Sequence, residues 1–185
     1  FLSVDKNKHE MLLFWESLVN MQAGSFEVEK VNRVIDFLKK HFEVEGIDCH
    51  LVDTKGSANM LIAELNKDVD KAPILLTGHC DTVFPSGYYP QDPFHIKDGF
   101  AYGPGVVDMK NGIAQIFYLM VALKHFGYTE RPVKVIIVGD EENSHGPGIT
   151  DELLMQEGKG ALCCFNMESG RMDNCLTVGR KGGMD

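Results

Sequence analysis

Two short, almost wholly apolar runs constrain this chain more than any other feature. Residues 73–77 read PILLT and residues 133–138 read VKVIIV. Successive residues of an extended chain face opposite ways, so such runs are apolar on both faces and must be covered on both. Between them, residues 111–126 have the length and spacing of a helix that is apolar nearly all round, and burial is expected for it. A covered strand, a helix and a second covered strand make the unit from which parallel sheets are built.

The rest of the chain fits that frame. Apolar residues at helical spacing predict a helix over 8–21 (Met11, Leu12, Trp15, Leu18, Val19) and another over 27–42 (Val31, Val34, Ile35, Leu38, Phe42). Strand-like runs follow at 47–52 and 59–64. The stretch FPSGYYPQDP is rich in turn formers and is expected on the surface. A short helix near 151–157 and a strand near 161–167 complete the order. No repeat or low-complexity linker divides the sequence. The expectation is one α/β sandwich with a largely parallel sheet.

Composition excludes several classes. The formal net charge of −9, with no basic run, argues against a nucleic-acid partner. The longest apolar stretch, 113–123, is interrupted by Gln115 and falls short of the roughly 20 residues a membrane span needs. Five cysteines (Cys49, Cys80, Cys163, Cys164, Cys175) are an odd number without a C-x-x-C spacing. They read as reduced, mostly buried thiols, which suggests the cytoplasm. The chain opens on Phe1 and stops at RKGGMD with no closing element, so a longer parent is expected.

The residues that carry chemistry all lie where a strand runs out. His79 and Asp81 follow PILLTG, Asp108 precedes the apolar helix, Asp140, Glu141 and Glu142 follow VIIVG, and Glu168 follows CCFNM. Ligands of open α/β sheets bind beyond the carboxyl ends of the strands. Taken singly, each residue has an ordinary reading: a satisfied histidine, a solvated acidic loop, a helix cap. Together they crowd carboxylates that repel unless a cation neutralises them. Imidazole with carboxylate suits zinc, with cobalt or manganese as substitutes. His79 and Asp81, two apart on an extended chain, share a face, so Asp81 can orient the ring while Cys80 points into the core. Glu141 and Glu142 diverge, so one can bind metal while the other takes a proton from a metal-bound water.

These residues stand in GHCDTVFPSG, AYGPGVVDMKNGIA and GDEENSHGPG. In that order and spacing the motifs resemble the dinuclear zinc metallopeptidases, the family of glutamate carboxypeptidase, acetylornithine deacetylase, succinyl-diaminopimelate desuccinylase and aminoacylase. PFHIKDGFAYGPGVVDMKNG is most similar to the glutamate carboxypeptidase-like branch. The resemblance implies a three-layer sandwich with a largely parallel mixed sheet, residues 1–185 being the N-terminal part of its catalytic domain. It implies two zinc ions, one held by His79, Asp108 and Glu168, the other by the bridging Asp108 and by Glu142. Glu141 would be the general base and Asp81 would orient His79. A cis peptide bond is expected at Asp108-Met109.

Asn143-Ser144-His145 departs from the small residue or glycine usual after D-E-E; His145 as an extra ligand is the less favoured reading. A further metal-binding histidine and a lid domain, which in the family supplies dimer contacts and substrate-binding groups, would follow RKGG. The fragment is therefore expected to be inactive alone, with an open sheet edge, and its parent to be a homodimer acting on small peptides. The alternatives are an N-acyl-amino-acid deacylase and a non-catalytic binding relative. The complete set His79, Asp108, Glu141, Glu142 and Glu168 speaks against the last.

Overall fold

The two apolar runs lie side by side. The computed structural model describes residues 2–170; Phe1 and residues 171–185, with the VGRKG stretch and Cys175, lie outside them. β3 (Ile74–His79) pairs in parallel with β6 (Val133–Val138), from Ile74 opposite Val133 to His79 opposite Val138. β7 (Cys163–Asn166) pairs in parallel with the other side of β3. β2 (Met60–Leu65) runs antiparallel to β6, and β1 (Asp48–Val52) antiparallel to β2. The order is β1-β2-β6-β3-β7, so only β2 opposes the common direction. The sheet is mixed and largely parallel, as expected.

Alternation along the strands builds two cores. Val133, Val135 and Ile137 join Leu61, Ala63 and Leu76 beneath α1 (Leu2–Asn20), α2 (Val28–Val44) and α3 (Lys110–His125). Ile136 and Val138 face the opposite way with Met60 and Ile62, under Leu153 and Leu154 of α4 (Thr150–Gly158). Each fully buried valine, leucine, isoleucine or methionine among them contributes about 1.5–3 kcal/mol relative to exposure. The result is three layers: helices, sheet, helix. In α2 the buried positions are Val31, Val34, Ile35, Leu38 and Phe42, the stripe read from the sequence. Gly46, at φ 65°, ends that helix in the left-handed conformation that favours glycine.

Three expectations need correction. α3 is not covered all round: it lies in an outer layer, and Leu119 on its solvent side is 39% exposed. The thiols are not mostly buried: Cys80 is, Cys49 is half-buried, and Cys163 and Cys164 are exposed. Both exposed thiols sit on β7, whose four residues are all exposed because no further strand or helix covers it among the described residues. α1 starts at Leu2 rather than near residue 8. The sequence reading also missed a hairpin, β4 (His95–Lys97) with β5 (Phe100–Tyr102). Asp98-Gly99 at its tip, both at positive φ, was the signal available, since a two-residue turn of this hand favours that dipeptide. No helix among the described residues is long and apolar enough to cross a membrane.

Candidate metal centre

β6, β3 and β7 run parallel and end at one edge of the sheet. β3 ends on His79 itself, two residues beyond the run seen in the sequence. Glu141 and Glu142 follow β6 in a single 3-10 turn (Glu141–Asn143), Glu168 follows β7, and Asp108 enters just before α3. α3 covers one face of the sheet and α4 the other, so the connections leaving β3 and β6 part and open a crevice.

His79 is at its centre and is only 1% exposed. Its Nδ1 donates to Asp81 Oδ1 at 3.2 Å, which leaves Nε2 facing outward. Around Nε2 lie Asp108 Oδ1 at 3.0 Å, Glu168 Oε1 at 3.1 Å and Glu141 Oε2 at 3.8 Å. Asp81, wholly buried, also accepts the Ser25 hydroxyl at 2.5 Å and the N–H of Glu142 at 3.2 Å. Burial would raise the Asp81 pKa, but the bonds from His79 and Ser25 outweigh it and hold the carboxyl below its ordinary value. Burial would lower that of His79, but Asp81, Glu168 and Glu141 lift it to about 9.

The outer carboxyls show the converse. Glu142 is raised by burial and by Asp108, and Glu168 by burial with Asp108 and Glu141 adding to it against the pull of His79. Carboxyls pushed up around an imidazole that retains a proton mark a site short of positive charge. One donor atom each from His79, Asp108 and Glu142 lie within 4.8 Å of one another. That suits ions held at about 2.0–2.2 Å by nitrogen and oxygen ligands. The residues present therefore fit a metal.

The two adjacent glutamates diverge as expected. Glu141 lines a cleft of about 490 Å³ with Asp108, Glu168 and His145, whereas Glu142 lines a smaller recess with Ser25, Thr82 and Val83. The Asp108-Met109 peptide bond is cis. Asp108 does not cap α3: Met109 occupies that position, without a side-chain capping bond. Cys80 is buried in the core.

Sequence reasoning missed two supports of the site. Ser25 lies 56 residues from its partner Asp81, and no local pattern announces it. Lys110 is fully buried, and its Nζ donates to the Met21 carbonyl at 2.9 Å, tying α3 to the end of α1. Burial brings its pKa down to about 8. Asp140, read in the sequence as one of the carboxylates at this edge, is buried and accepts the donors of His145 and Thr150.

Residues 75–179, more than half of the chain, match the peptidase family M20/M25/M40, and the chain belongs to that family. It is 27% identical over 172 residues to carboxypeptidase G2 of Pseudomonas sp. (strain RS-16), covering 90% of this chain and 40% of that protein. Succinyl-diaminopimelate desuccinylase of Wolinella succinogenes is 28% identical over 183 residues, 95% of this chain and 46% of that protein. The fold is that of human carnosine dipeptidase 1, with a TM-score of 0.76 at 20% identity over 90% of this chain and 40% of that one. The chain thus spans less than half the length of these relatives.

Proposed function

We propose that the protein to which these residues belong is a zinc-dependent exopeptidase, a carboxypeptidase or dipeptidase acting on small peptides. The observation that carries this reading is the ring of Asp108, Glu168 and Glu141 around the outward nitrogen of His79, with Asp81 behind it. His79, Asp108 and Glu168 would hold one ion, and Asp108 with Glu142 the other. Zinc, or cobalt or manganese in its place, would supply Lewis acidity to polarise the scissile carbonyl and acidify water. Asp81 fixes the ring of His79 and, through its bonds to the Glu141 and Glu142 N–H groups, the turn beside it. Glu141, half exposed in the cleft, takes the proton of the attacking water and returns it to the leaving amine.

The second reading is a deacylase that cleaves N-acyl amino acids. Its support is the similarity to a desuccinylase over 95% of the chain. The groups that separate the two readings belong to a lid domain beyond these residues. In this reading that domain would also pair two copies of the protein, and the remaining metal-binding histidine would come after it, in the last part of the catalytic domain. The cysteine pattern supports a reducing, cytoplasmic setting.

Dipeptides and N-acyl amino acids offered to the full-length, zinc-loaded protein and to Glu141→Gln test both readings. Dipeptide hydrolysis that falls by at least about a hundredfold in a variant that keeps its metal supports the peptidase and the role of Glu141. Cleavage of acyl amino acids alone transfers the reading to the deacylase. Hydrolysis of neither, by a protein that binds zinc, defeats both.

A further inference from the structure

The turn that carries Glu141 and Glu142 is held at its start by Asp81. Its far side is held by a second aspartate–histidine pair, which the proposed reaction does not use. Asp140 is 1% exposed. Its Oδ1 accepts His145 Nδ1–H at 3.1 Å, its Oδ2 accepts the Thr150 hydroxyl at 2.6 Å, and its carbonyl accepts the His145 N–H at 2.8 Å. The other ring nitrogen of His145 lies 3.7 Å from Asp151 Oδ1, in the first turn of α4. A surface acidic loop has no need of a buried carboxylate with three donors drawn to one residue.

The backbone points the same way. Ser144, His145 and Gly146 have φ of 57°, 63° and 50°, three consecutive residues in the left-handed region. A non-glycine residue there costs on the order of 1 kcal/mol and persists only where its surroundings over-determine it. Asparagine tolerates that conformation better than histidine, so the imidazole is present for what its ring does. The ring lines the same cleft as Asp108, Glu141 and Glu168.

We propose that His145 is a positioning residue. Held between Asp140 and Asp151, it closes residues 140–150 into one rigid loop and so sets where Glu141 and Glu142 stand. It acts through those two glutamates and touches neither metal nor substrate. What the glutamates do rests on the function proposed above; the loop that places them does not.

The side chains of asparagine and glutamine separate the two ring nitrogens. His145→Asn keeps a donor where Nδ1 stands, facing Asp140; His145→Gln keeps one near Nε2 and loses the Asp140 bond. In the full-length protein, cobalt affinity of His145→Gln is expected to fall by about tenfold or more, with a changed visible absorption of the bound ion. His145→Asn should stay within about threefold of the native protein. In peptide hydrolysis, kcat of the glutamine variant falls while KM stays within about twofold, and asparagine restores kcat. Native-like cobalt affinity and absorption in His145→Gln would overturn the proposal, as would equal losses in both variants. If the native protein binds cobalt and hydrolyses nothing, the function proposed above fails, and the cobalt comparison still decides the role of His145.

Discussion

A single carboxylate can organise a site it does not face, and Asp81 shows how. It orients His79 on one side and the Glu141–Glu142 turn on the other, so the metal-facing groups of two strands share one buried anchor. The His79 half of this was legible, because residues two apart on a strand share a face. The Ser25 half was not, because it depends on a contact across the fold. Glu27, which lines the recess of Glu142, is a comparable anchor. Its carboxylate accepts Lys30 Nζ at 2.6 Å, the Gly24 N–H at 3.1 Å, and the Ser86 N–H and hydroxyl at 2.8 and 2.7 Å. Burial would raise its pKa, but these bonds outweigh it and bring it from 4.5 to about 2. A depressed carboxyl stabilises the fold fully above its unfolded value and loses that contribution as pH falls through its folded one. Glu27→Gln should therefore be less stable than the native protein by about 1–2 kcal/mol at neutral pH. Urea unfolding at stepped pH should show the gap closing between about pH 4.5 and pH 2. A gap independent of pH would mean that packing, not charge, is what the glutamate supplies.

At the scale of elements, legibility followed coverage. β3 and β6 were plain in the sequence because a strand covered on both faces leaves no alternative to an apolar run. α2 was equally plain, since one buried stripe at helical spacing fixes both type and face. The direction of β2 was not, because antiparallel and parallel strands with both faces covered carry the same residues. An open sheet edge was expected, and among the described residues β7 is that edge; what was misjudged is the cover of its thiols, because CCFN by itself reads as a buried strand. Packing between elements makes its own prediction at Gly112, in the first turn of α3. A Cβ added there would lie 2.1 Å from the Met167 carbonyl oxygen, on the backbone that leads to Glu168. Alanine in place of glycine within a helix ordinarily gains up to about 1 kcal/mol. Here the clash should reverse the sign, and Gly112→Ala should lose about 1–3 kcal/mol in thermal unfolding. Because the strained segment carries Glu168, zinc affinity should fall with it. Unchanged affinity in a destabilised variant would separate the packing of α3 from the placement of Glu168.

For the molecule as a whole, the fold gathers negative charge at one edge of its sheet while its net charge is already −9. Asp108, Glu141, Glu142 and Glu168 converge on a single imidazole, and the carboxyls of Glu142 and Glu168 are raised first by burial and further by their carboxylate neighbours. The metal-free fold carries that repulsion; the unfolded chain, where the same groups are far apart and hydrated, does not. A divalent ion that binds only the folded state therefore adds its binding free energy to stability. At a free zinc concentration a hundred times the dissociation constant this amounts to about 2.7 kcal/mol. For a domain of this size that raises the unfolding midpoint by about 5–10 °C. Magnesium, which keeps its water and seeks octahedral oxygen ligands, should raise it far less at the same concentration. The paired variant Asp108→Asn should raise the midpoint of the metal-free protein, because it removes a repelling charge, and should abolish most of the zinc-dependent gain. Thermal unfolding of both proteins with zinc, with magnesium and with chelator measures all of this at once. A midpoint that zinc leaves unmoved in the native protein would show that these carboxylates are held together by the fold alone, and the metal-dependent reading of the site would go with it.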